Sequence, residues 1–142
     1  MPALKFVRDL AAQPLRRPRV CRINGRSITY TPRQTAEYES QIKSIYSKVA
    51  NFKFERCVPL EIAILALFAP PKSVSKKVRA LMLSGKILPT KRPDGDNVIK
   101  VVLDALNGVA FHDDGQVCKV YFEKMYAETP EVRVLIKNIV EV

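Results

Sequence analysis

Histidine is nearly absent from this chain: His112 is the only one in 142 residues. A Ser-His-Asp or Cys-His catalytic set would have to be built on that one side chain, which lies in a turn-like stretch and reads as a turn or surface residue. Cysteine is also scarce. Cys21, Cys57 and Cys118 are scattered, odd in number and without a Cys-x-x-Cys pair. That pattern argues against a disulfide framework and against a structural zinc site. Cys118, inside a strand-like segment, reads as a core residue. Long apolar runs are missing too. The longest, residues 62–71, falls well short of the ~20 residues needed to span a bilayer. The first 14 residues place Lys5, Arg8 and Asp9 among apolar neighbours, which interrupts any signal-peptide core. The expectation is a cytoplasmic protein with reduced thiols and no membrane association.

Acidic residues are few as well. There are 14 Asp and Glu against 24 Lys and Arg, a net charge of +10. A chain of this size needs far less charge for solubility, so the excess points to an anionic partner. The basic residues are spread along the chain and not gathered on one amphipathic helix. Nucleic acid therefore fits better than a membrane surface.

What remains is an ordinary globular composition, 47% hydrophobic and 27% charged, with no repeat or low-complexity segment. Residues 1–142 read as one domain, of mixed α+β type. Residues 4–10 suit a short strand, and 14–19 an extended basic segment held out of helix by Pro14 and Pro18. Residues 20–23 and 27–30 flank Asn24-Gly25, a hairpin-turn dipeptide. Thr31-Pro32 opens a helix to about residue 50, with Tyr38, Ile42, Ile45 and Val49 as its apolar stripe. Residues 59–68 read as a mostly buried strand ended by Pro70-Pro71. Ser73 or Ser75 caps a short basic helix to about residue 83, with Gly85 beyond it. A Lys- and Arg-rich loop spans 86–93. Asp96 or Asn97 starts the next helix, which carries Ile99, Val102, Leu103 and Leu106 inward and stops at Gly108. Residues 109–115 form a turn region. Residues 117–126 and 132–140 read as strands, joined through Glu128-Thr129-Pro130.

The distribution of aspartate is the most informative feature. Five of the six aspartates, Asp94, Asp96, Asp104, Asp113 and Asp114, fall between positions 94 and 114. Lys86, Lys91, Arg92 and Lys100 lie in or beside the same stretch. Carboxylates set in a cationic surface repel phosphate unless a divalent cation neutralises them and then contacts the phosphate itself. In Asp94-Gly95-Asp96-Asn97 the two carboxylates are two residues apart, Gly95 permits a sharp bend, and Asp96 lies at a helix N-terminus that favours negative charge. Asp96, Lys100 and Asp104 follow at spacings of four, along one helix flank. Asp113 and Asp114 return toward the helix start if the strand at 117–126 runs back beside it. Taken singly, Asp94-Gly95-Asp96-Asn97 is a turn with a cap, Asp104 a salt-bridge partner and Asp113-Asp114-Gly115 a hairpin turn. An EF-hand fails because Ala105 stands where the twelfth-position glutamate is required. The conjunction of all three features in a basic chain is what points to metal-assisted phosphodiester hydrolysis.

The run from Arg92 through Pro93-Asp94-Gly95-Asp96-Asn97, Lys100 and Asp104-Ala105-Leu106 to Asp113-Asp114-Gly115-Gln116-Val117 resembles the RusA family of Holliday junction resolvases, of the phage and Gram-positive type. Arg17-Pro18-Arg19 and Tyr30-Thr31-Pro32 resemble the same members. The match is dense over 92–117 and thinner elsewhere. The resemblance implies a single RusA-like endonuclease domain over 1–142, with a mixed β-sheet packed with helices. It also implies a homodimer that uses Mg²⁺, with Mn²⁺ as a possible substitute, to cut four-way DNA junctions in recombination and repair. By position it makes Asp94, Asp96 and Asp114 the catalytic metal-binding carboxylates, Lys100 a catalytic lysine and Asp113 a further metal ligand. Asp104 is left with a structural role. Arg16, Arg17, Arg19, Lys76, Lys77, Arg79, Lys91 and Arg92 are the expected phosphate contacts. The N-terminal strand and the segment 132–142 are candidates for the dimer interface. Two alternatives stand beside this reading: a non-catalytic nucleic-acid-binding protein, and a related metal nuclease acting on flaps or forks.

Overall fold

A computed structural model of the chain describes residues 4–8, 19–23, 26–30, 33–50 and 52–139, with side chains described for 36–50 and 52–139. The strands are β1 (Leu4–Arg8), β2 (Arg19–Ile23), β3 (Arg26–Tyr30), β4 (Leu60–Phe68), β5 (Val117–Tyr126) and β6 (Glu131–Asn138). The helices are α1 (Arg33–Val49), α2 (Lys76–Leu83) and α3 (Gly95–Leu106), and Asp114–Gln116 form one 3-10 turn. The α+β expectation holds.

Four strands form a mixed sheet in the order β1-β6-β4-β5, and β2 and β3 form a separate antiparallel pair with Ile23 opposite Arg26. β4 is central. It pairs antiparallel with β6 on one side and parallel with β5 on the other. Its burial alternates along Leu60, Ile62 and Ile64, the period of a strand with one face in the core. The turn expected around Glu128-Thr129-Pro130 is present, but β5 and β6 are not hairpin neighbours. The chain crosses the end of β4, which lies between them. β6 is accordingly an interior strand, so the segment 132–138 offers no free edge. The edges of this sheet are β1 and β5.

One face of the sheet packs against α1 and α3. Tyr38, Ile42 and Tyr46 from α1 meet Val98, Val101, Val102, Ala105 and Leu106 from α3 over Ile62, Ile64, Val134 and Ile136. Each Val, Leu or Ile among them contributes roughly 1.5–3 kcal/mol when fully buried. Two helix stripes differ by about a residue from the sequence reading. Tyr46 takes the place of Val49, which is 51% exposed at the fraying end of α1. On α3 the fully buried set is Val98, Val101, Val102, Ala105 and Leu106, while Ile99 and Leu103 pack at the margin. α3 also starts earlier than expected. Asp94 is its N-cap, and Asp94 O accepts the first helical bonds from Asn97 N and Val98 N. At the other end Gly108 holds a φ of +80°, a left-handed conformation that glycine adopts without penalty. Behind it Ala110 and Phe111, expected as turn residues, are fully buried in the core. Ser75, not Ser73, caps α2 through a bond from Val78 N at 3.2 Å.

Candidate metal and nucleic-acid site

α3 carries the helical part of the site. Asp96, Lys100 and Asp104 recur every fourth residue, and Lys100 Nζ pairs with Asp104 Oδ2 at 3.2 Å. At the start of the helix Asp94 is exposed and its carboxylate makes no capping bond. Asp96 Oδ1 accepts from Asn97 N at 2.9 Å.

The backbone that presents these carboxylates is gripped by β5. Lys124 Nζ donates to Lys91 O at 2.6 Å and to Pro93 O at 2.9 Å. A Cβ on Gly95 would lie 2.9 Å from Phe122 Cε1, so no other residue fits there without displacing that ring. β5 therefore does run back beside α3, as its sequence pattern suggested.

The second carboxylate group sits in the turn before β5. Asp113 Oδ1 accepts from Gly115 N at 3.2 Å. Gln116 locks the turn: its Oε1 accepts from His112 N and Asp113 N, and its Nε2 donates to Glu55 O and Val58 O. The neighbouring Asp113 and Asp114 carboxyl groups interact, a proton on Asp114 being available for a hydrogen bond to Asp113. The Gly115 amide, and then that bond, hold Asp113 below the usual carboxylate range. The same bond raises Asp114, helped by partial desolvation and by the negative charges of Asp113 and Asp104, while Lys100 acts the other way. Glu39 on α1 is raised by burial first and then by Asp104, with Lys43 and Lys100 opposing.

Electrostatic coupling links Asp113, Asp114, Lys100, Asp104 and Glu39, and Asp94 and Asp96 stand at the N-terminal end of the same helix. Eight residues of α3 separate Asp96 from Asp104, about 12 Å at 1.5 Å per residue. Among the described residues no three His, Cys, Asp or Glu side chains form a ready-made metal-binding group. The donor chemistry nevertheless suits a hard cation. Every candidate ligand is a carboxylate oxygen, and Asp114, raised first by its bond to Asp113 and by desolvation, also feels like charge from Asp113 and Asp104 that a divalent ion would offset.

Of the expected phosphate contacts, Lys76, Lys77 and Arg79 are exposed on α2, and Lys91 and Arg92 are exposed in the loop before Asp94. Arg16, Arg17 and the side chain of Arg19 lie outside the described residues. A cavity of about 440 Å³ adjoins Asp113, lined by Arg56, Cys57, Pro59, His112, Gln116 and Cys118. Cys118 is exposed and lines this cavity, where the sequence had suggested core. The sequence reading missed Phe122, Lys124 and Glu39. Lys124 had a visible signal, a charge at an inward position of β5 in step with Phe122. No helix among the described residues is long and apolar enough to cross a membrane.

A basic α+β chain with carboxylates along one helix, beside exposed Lys91 and Arg92, has the features of a protein that acts on nucleic acid. The chain belongs to the endodeoxyribonuclease RusA family, whose model matches residues 9–137. It is also 39% identical over 83 residues to the uncharacterized protein YqaN of Bacillus subtilis (strain 168), a stretch covering 57% of this chain and 58% of that relative.

Proposed function

We propose that this protein is a divalent-metal-dependent endodeoxyribonuclease acting on branched DNA, with the four-way junction as its substrate and paired cuts as its outcome. The observation that carries the reading is the family membership over residues 9–137, coinciding with acidic groups set in a +10 chain. Asp94, Asp96 and Asp114 would hold Mg²⁺ or Mn²⁺, with Asp113 as a neighbouring ligand. A bound ion of this kind stabilises charge on the phosphoryl oxygens and makes a bound water more acidic.

The chain's own residues contribute the rest. Lys100 stands between the two acidic groups and is available to a phosphate. Its pairing with Asp104 is half exposed, and such a pair is worth at most about 1 kcal/mol, so a phosphate oxygen competes for the ammonium. Exposed cations on α2 and in the 91–92 loop would draw in the DNA backbone by releasing counterions. Two symmetric cuts ask for two identical sites, which a two-fold homodimer provides.

The substrate class is tested by comparing linear duplex, flap and four-way junction DNA in Mg²⁺ and in EDTA, with both strands mapped. Mg²⁺-dependent, symmetrically placed nicks confined to the junction are expected. Binding without cleavage of any substrate would favour a non-catalytic role, and preferential flap cleavage would reassign the substrate.

A further inference from the structure

We propose that Lys124 is a positioning residue for the acidic loop, fixing through its ammonium the backbone from which Asp94 projects toward a divalent cation. The inference rests on the metal-site reading above.

Lys124 occupies a place where charge is unfavourable. It follows Phe122 by two residues on β5, on the face that packs toward the core. Its register partner on β4 is Ala66, which is fully buried. Its ammonium also lies near the N-terminal end of α3, where the helix dipole disfavours a cation. A solvated lysine would turn away from such a place. Instead the residue is partly buried, and Nζ, 5.6 Å from the centroid of the Phe68 ring, donates to the carbonyls of Lys91 and Pro93. Charge-assisted bonds of this kind are among the stronger ones and hold a carbonyl in a fixed direction.

The two grips of β5 fall on either side of one residue. Lys124 holds the carbonyl of Pro93, immediately before Asp94, and the Phe122 ring abuts Gly95, immediately after it. The Asp94 carboxylate has no capping bond of its own. Its position is therefore set by the backbone, and the backbone by this bracket. Residues that orient metal ligands in this way typically change metal affinity by ~10–100-fold when removed.

The test uses the full chain with Mn²⁺ as the probe. Lys124→Met keeps the length and the packing on Phe68 but removes the donor, and Lys124→Arg keeps the charge. Amide exchange over residues 91–98 is measured without metal, and Mn²⁺ affinity by calorimetry. Lys124→Met is expected to exchange faster in that loop and to bind Mn²⁺ about tenfold or more weakly, with Lys124→Arg closer to wild type. A folded Lys124→Met with unchanged loop exchange and unchanged Mn²⁺ affinity would overturn the proposal. If Lys124→Met does not fold, Lys124→Gln is judged by the same two measurements. Wild-type protein that binds no Mn²⁺ would overturn the metal-site reading and the positioning role with it, while the metal-free exchange would still show whether the bracket exists.

Discussion

Lys100 and Asp104 are paired at 3.2 Å across one turn of α3, and both act electrostatically on Asp114 in the following turn. The pair links the helix to the second carboxylate group. Lys100→Met is expected to lower the rate of junction cleavage by roughly 10²-fold, the scale seen when a charge-stabilising donor is removed, with little change in melting temperature. Asp104→Asn frees the ammonium and is expected to keep most of the activity. Single-turnover rates on the two variants check both statements.

Gly95 lies under the Phe122 ring, where an added Cβ would meet Phe122 Cε1 at 2.9 Å. Gly95→Ala is expected to destabilise the protein by about 1–3 kcal/mol, the range for overpacking. Gly95→Ala combined with Phe122→Leu should recover part of that loss. Chemical denaturation of the single and double variants measures the coupling.

Glu39 gives a pH dependence of known sign. Its pKa in the folded protein is raised, by burial first and then by Asp104. The folded state therefore holds the proton more tightly than the unfolded state. The stability this contributes is full below the unfolded pKa and is lost as pH rises through the folded value. Glu39→Gln is expected to be more stable than wild type at pH 7, with the difference shrinking toward pH 4. Melting temperatures across that range test it.

Exposed Lys76, Lys77 and Arg79 are proposed phosphate contacts. Replacing all three with glutamine should weaken metal-free junction binding. It should also reduce the slope of log affinity against log salt by about one for each phosphate left unneutralised. An unchanged slope would make these residues ordinary surface charges.

Much of this arrangement was legible in the sequence. Strands β4 and β5, helix α2 and the antiparallel register of β2 with β3 follow from local patterning, which acts over a few residues; the Asn24-Gly25 turn itself lies outside the described residues. Asp113-Asp114-Gly115 reads as a turn, and the chain turns there, through the 3-10 turn Asp114–Gln116. The start of α3 was misplaced because Asp94, Asp96 and Asn97 are all good caps, and propensity does not choose among them. The insertion of β4 between β5 and β6 was invisible, since a four-residue connection reads equally well as a hairpin. The grips on either side of Asp94 depend on contacts between residues about 30 apart. Lys124 could be noticed as an inward charge, but its carbonyl partners could not be named without the fold.

The central claim is that the aspartates of the 94–114 stretch carry metal-dependent DNA cleavage. The most direct measurement is cleavage of a synthetic four-way junction in Mg²⁺ by wild type, Asp94→Asn, Asp96→Asn and Asp114→Asn, alongside junction binding without metal. The expected result is cleavage by wild type alone, with all three variants binding the junction at least as tightly as wild type. An Asp96→Asn protein that cuts as fast as wild type, or variants that lose metal-free binding through loss of the fold, would contradict it.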